Sequence, residues 1–125
     1  MHQALKRQCE YLILEVGLGG RLDTVNHFDA DCSCITSISR DHQAILGHRY
    51  DQILFEKLGI ARREKWLVTH LRLDYLNGLV SDFARLNKIK WLPIATNKDG
   101  EKRDYYADNI ATAYKLFQCV EGDQE

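Results

Sequence analysis

The sequence predicts an α/β fold built on a mostly parallel sheet. Three observations predict it. Short apolar runs alternate with stretches of helical periodicity, the first two runs each end in polar residues, and the later part of the chain reads strand, helix, strand. At 125 residues, 45% hydrophobic and 28% charged, the chain has ordinary globular composition and room for one compact unit.

The first predicted strand is residues 11–16. It runs directly into Gly17, Gly19 and Gly20, where missing side chains allow close backbone approach. Residues 32–38 are small and β-branched and predict a second strand, closed by Ser39, Arg40, Asp41 and His42. Over residues 50–60, Tyr50, Ile53, Leu54 and Leu58 recur at helical spacing, with Asp51 as the N-terminal cap. Lys57 falls on or beside that apolar stripe, an uncommon place for a lysine. Residues 66–70 predict a strand, 74–86 an amphipathic helix through Leu76, Leu79, Val80 and Phe83, and 90–94 another strand, together a βαβ unit. A loop at 96–100 precedes a last helix whose packing face is predicted at Tyr106, Ile110, Ala113 and Phe117, with 121–125 fraying.

Charge excludes one class of function. With 17 basic and 18 acidic residues the net charge is −1, the wrong footprint for a protein that works on phosphate backbones, so no nucleic-acid partner is expected. No apolar run reaches the ~20 residues of a membrane span, and the start lacks a signal-peptide core, which predicts a cytoplasmic protein with no membrane partner. Cys9, Cys32, Cys34 and Cys119 show no paired zinc-type spacing and read as reduced thiols.

In open α/β sheets ligands bind beyond the carboxyl ends of the strands. Glu15 and His42 both lie near such ends, and a carboxylate and an imidazole brought together there can hold a divalent ion, with Asp41 fixing the histidine. Taken singly, a solvent-facing strand-end glutamate is as ordinary a reading of Glu15, and a surface turn is the more common explanation of an Asp-His pair. The glycines do not make a dinucleotide fingerprint, and the phosphate-cradling loop GxxxxGK(S/T) does not occur in the sequence.

Taken together, EVGLGGRLDTVN at 15–26, TSI at 36–38, DH at 41–42, LG at 46–47 and FEKLGI at 55–60 resemble folylpolyglutamate synthase and the bifunctional dihydrofolate synthase, members of the Mur ligase superfamily. The resemblance covers roughly residues 5–117. It implies part of a P-loop-type ATP-binding domain, and a ligase that uses ATP and Mg2+ to join L-glutamate to dihydropteroate or folate through an acyl phosphate. It makes Glu15 and His42 magnesium ligands, sets Leu22, Asp23 and Thr24 against the pterin-bearing substrate, and matches Lys57 to the family's carbamylated lysine. Asn109, in YADNIATA at 106–113, matches the asparagine that meets the nucleotide. Carbamylation starts from the neutral amine, so burial that disfavours the ammonium suits it. A wet, snorkelling head group is the plain alternative for Lys57.

The family places its phosphate-binding loop and a magnesium-ligating serine before these blocks and a second domain after them. Residues 1–125 are therefore expected to be a partial central ATP-binding domain, phosphate-binding loop and C-terminal domain absent, incomplete at its sheet edge and inactive alone, from a full-length protein expected to be a monomer. Val25 departs from the small or hydroxylated residue usual in the substrate loop, and the stretch between Lys57 and Asn109 is short. Competing readings are a muramyl-peptide ligase, which the folate-type loop argues against, a noncatalytic remnant or binding module, and a nicotinamide-binding dehydrogenase.

Overall fold

The fold is organised around one strand. In the computed structural model, which describes residues 3, 6–39, 43–96 and 104–122, strand β2 (Trp66–Thr69) lies between β1 (Cys32–Ile35) and β3 (Lys90–Pro93). Both pairings are parallel, with Cys32 beside Trp66 and Ile35 beside Thr69 on one side, Trp66 beside Lys90 and Thr69 beside Pro93 on the other. Parallel strands need crossovers, and helices supply them. Helices α1 (Gln43–Leu46) and α2 (Tyr50–Leu58) join β1 to β2, α3 (Asp74–Asn87) joins β2 to β3, and α4 (Tyr105–Gly122) follows.

A central parallel strand is covered on both faces and so reads as continuously apolar. Leu67, Val68, Thr69, His70 and Leu71 are all buried. Leu67 joins Ile35, Leu54, Leu58, Leu71, Leu76 and Val80 in the core between the sheet and α2 and α3. Each such side chain contributes about 1.5–3 kcal/mol by leaving water. Side chains alternate along a strand, so Val68 and His70 point the other way, toward α4, whose buried residues are Thr112 and Cys119. Helix α3 buries Leu76, Val80 and Ala84 at helical spacing and stops at Lys88, which takes the left-handed conformation (φ 56°, ψ 46°) and donates its N–H back to the last turn.

The structure corrects four sequence expectations. Residues 11–16 form no strand, and Tyr11, Leu12, Ile13 and Leu14 are 48, 48, 93 and 37% exposed. An isolated strand cannot satisfy its backbone, and no described strand lies beside this one. The second strand stops at Ile35 because its partner β2 ends opposite it, at Thr69. The cap of α2 is Arg49, not Asp51. Asp51 sits in the first turn and ion-pairs with Arg49 at 2.6 Å, and that contact first of all holds its carboxyl below the ordinary value.

The fourth correction is the last helix. Tyr106, Ile110 and Phe117 are 77, 53 and 57% exposed and Ala113 is exposed too, while Thr112 and Cys119 face the sheet. This helix is apolar on more than one side, so periodicity alone picks no inward face. Helix α4 is regular through Gly122, where the sequence predicts fraying from 121, and the Tyr11 hydroxyl donates to the Glu121 carboxylate. Of the predicted loop at 96–100, residues 97–100 lie outside the described residues.

Candidate functional site

The glycine loop is built around one carboxylate. Asp23 Oδ2 accepts the backbone N–H groups of Gly17 and Leu18, both at 3.0 Å, and Oδ1 accepts that of Val25 at 2.9 Å. This closes the loop and caps a short 3-10 turn, Thr24–His27. The N–H of Val25, then that of Leu18, holds the Asp23 carboxyl below its ordinary value, because both stabilise the anion.

The closed loop docks on the end of α2. A Cβ built on Gly20 would lie 2.9 Å from the Glu56 carbonyl oxygen and the Ile60 side chain and 3.1 Å from Lys57 Cα, so only glycine permits the approach. Arg21 donates its N–H to the Glu56 carbonyl at 2.8 Å and pairs its guanidinium with the Glu56 carboxylate at 2.9 Å. From the other side, a Cβ on Gly59 would come within 2.4 Å of Arg21 Cβ. Two sequence blocks separated by about one-quarter of the chain thus form a single packed unit.

Sequence reasoning did not single out the residues that lock this unit. Asn26 Nδ2 donates to the carbonyls of Arg21 and Gly59, at 3.0 and 3.1 Å. Arg62 donates to Asn26 O, Asn26 Oδ1 and Phe28 O from one nitrogen, at 2.6, 2.8 and 3.0 Å, and to Ile60 O from the other at 2.9 Å. The available signal was an arginine placed two residues after FEKLGI, which is weak by itself.

Of the predicted site residues, the structure places Lys57 half-buried on α2 against the loop and Asp23 half-buried inside it. Leu22 is 80% exposed, Thr24 is exposed, and Glu15 is exposed on coil just before the loop. Asn109 is exposed in the first turns of α4. His42 and Asp41 lie outside the described residues. Among the described residues no group of three His, Cys, Asp or Glu side chains could hold a metal ion, so Glu15 has no described co-ligands.

A second polar cluster lies just beyond the carboxyl end of β2, and sequence reasoning missed it too. Buried His70 places Nε2 3.8 Å from Asp108 Oδ1 and Nδ1 3.4 Å from the Thr112 hydroxyl, while Arg72 reaches Asp108 at 3.5 Å. His70, Arg72 and Asp108 border a cleft of about 70 Å³ with Ser37 and Ile38, and the cluster ties the start of α4 to the sheet beside Asn109. The detectable signal was a histidine at a strand end. A larger recess, about 290 Å³, is lined by Ala61, Arg63, Phe83, Lys88 and Ile89 near the amino ends of β2 and β3, the edge opposite to where parallel sheets bind ligands. None of the four cysteines forms a disulfide, and burial pushes the Cys34 thiol up to about 11, which disfavours its thiolate.

No protein-family model matches the chain. The Escherichia coli K12 dihydrofolate synthase/folylpolyglutamate synthase is 53% identical over 58 residues, 46% of this chain and 14% of that protein. The Lacticaseibacillus casei folylpolyglutamate synthase is 38% identical over 87 residues, 70% of this chain and 20% of that protein. A solved Yersinia pestis bifunctional folylpolyglutamate synthase/dihydrofolate synthase, complexed with AMPPNP and Mn, superposes with a TM-score of 0.67 at 28% identity over 85% of this chain and 30% of its own. Over the residues they share, the chain is similar to folylpolyglutamate/dihydrofolate synthases. It spans about one-seventh to one-fifth of the curated relatives described here. The three-stranded parallel sheet is accordingly part of the Mur ligase-type fold of those enzymes.

Proposed function

We propose that these residues supply the pterin side and the lysine side of an ATP-dependent ligase that joins L-glutamate to dihydropteroate or folate through an acyl phosphate. One observation carries the reading: the glycine loop is docked directly on the helix that bears Lys57, with Leu22 and Thr24 turned outward from it. Leu22 offers an apolar surface to a flat pterin or aminobenzoyl ring. Thr24 offers a hydroxyl, and the Asp23 carboxylate shapes the loop that presents both. Lys57, carbamylated, becomes an anion beside that loop. Asn109 at the start of α4 meets the nucleotide.

Magnesium, held by Glu15 and His42 together with residues outside this sequence, would stabilise the charge that develops on the transferring phosphoryl group. The described donors do not by themselves assemble that site. With no GxxxxGK(S/T) loop in the 125 residues, ATP phosphates would be held by other parts of the enzyme, and residues 1–125 are part of its central ATP-binding domain. Turnover by these residues alone is expected to be negligible. We place the full-length enzyme in the cytoplasm as a monomer, without nucleic-acid or membrane partners. The net charge of −1 over these 125 residues speaks against a nucleic-acid partner, and no helix among the described residues is long and apolar enough to cross a membrane.

Carbon-13 NMR with labelled bicarbonate tests the lysine. A carbamate resonance present in the native chain and lost in Lys57→Arg is expected; the same resonance surviving that substitution would refute the assignment. Incubation with ATP, Mg2+, dihydropteroate and labelled glutamate should yield no ligated product, and product formation would overturn the partial-site reading.

A further inference from the structure

We infer that Arg62 is a positioning residue, holding the substrate-side loop in register with the helix end that bears Lys57. The inference rests on the proposed function for what the loop binds, and on geometry for how it is held. Arg62 leaves α2 behind by four residues and turns back under the loop. One terminal nitrogen donates to the Gly59, Ile60 and Ala61 carbonyls, at 3.4, 2.9 and 3.3 Å, which closes the turn after α2. The other donates to Asn26 O, Asn26 Oδ1 and Phe28 O on the loop side. Its Nε lies 3.8 Å from Asp29.

The rigid guanidinium fork is what makes one side chain serve both segments at once. A lysine at the same place has a single ammonium, which cannot span the two groups of acceptors. The side chain is 23% exposed, so water competes little for these bonds. Asn26 completes the clamp by donating to Arg21 O and Gly59 O while accepting from Arg62. Arg62 and Asn26 spend these bonds on the loop backbone and on each other. Their effect passes through Leu22 and Thr24.

Amide hydrogen exchange on the chain, followed by dihydropteroate titration, tests the inference. In Arg62→Ala the N–H groups of Arg21, Asp23, Val25 and Asn26 should exchange about tenfold faster or more, while those of Leu67 and Val68 in β2 keep their protection. Arg62→Lys should not restore the loop, and dihydropteroate affinity should fall in both variants by a comparable factor. Asn26→Ala, a milder change, should show the same selective loosening, and the double variant should add little to either single one. Equal loosening of loop and β2, unchanged loop exchange, or full recovery in Arg62→Lys would each overturn the clamp. Selective loosening with unchanged dihydropteroate affinity would overturn its substrate role. If the native chain binds no dihydropteroate but Arg62→Ala still loosens only the loop, the clamp stands and the functional reading falls.

Discussion

Two apolar regions of this chain have opposite fates. The glycine loop and the segment after α2 are tied together by the Asp23 carboxylate, Asn26 and Arg62, and their glycines fit where any Cβ would collide. Residues 11–14 and the outward side of α4 carry equally strong apolar patterns, yet Ile13 is 93% exposed and Tyr106 77%. The difference is the availability of partners. Where both halves of an interaction lie within these residues, the motif is satisfied locally. Where the apolar pattern has no described partner, it remains at the surface, and an exposed patch of that kind marks an interaction surface or an aggregation hazard.

Substitutions can sharpen or break that contrast. The largest effect belongs to the core beneath the loop, where Leu58 is fully buried: Leu58→Ala should cost about 2–5 kcal/mol in urea denaturation. A loss below about 1 kcal/mol would mean that α2 is not held as described. Next is Gly59→Ala, whose new methyl would meet Arg21 at 2.4 Å. A loss of about 1–3 kcal/mol is expected, along with faster exchange in the loop.

The third effect is pH-dependent. Because the folded Asp23 carboxyl titrates below its ordinary value of 3.8, its contribution is present above that value and disappears as pH falls through the lower, folded one. Loop amides should therefore lose protection in that acid window ahead of β2, and Asp23→Asn should already show a loosened loop at neutral pH. Identical acid profiles for the native chain and Asp23→Asn would contradict the capping role. The smallest stability effect is Ile13→Ser, within about 0.5 kcal/mol, since the side chain is already in water. Its expected signature is reduced self-association by light scattering; a large loss of stability would show that residues 11–14 are packed after all.

Much of the fold was legible from local pattern. The three strands and helices α2 and α3 fall within a few residues of their predicted bounds, since each has a strong period and a clear turn. Failures came where structure depends on distant partners. Residues 11–16 have a strand's composition but no neighbour to complete a ladder, and α4 has two apolar sides, between which His70 and Asp108 choose. The candidate site was legible as motif but not as construction. Nothing local announces that Gly20 must touch Lys57 Cα, or that Arg62 reaches back to Asn26, because those contacts join segments about thirty-six residues apart or more.

In the proposed function the docked loop binds the pterin-bearing substrate. Titrating the chain with dihydropteroate in Mg2+ and following the Leu22, Asp23 and Thr24 amides by NMR tests it most directly. Saturable shifts confined to the loop and the neighbouring end of α2, and weakened by Leu22→Asp, are the predicted result. No saturable shift in a chain shown by the same spectrum to be folded, or binding indifferent to Leu22→Asp, would contradict it.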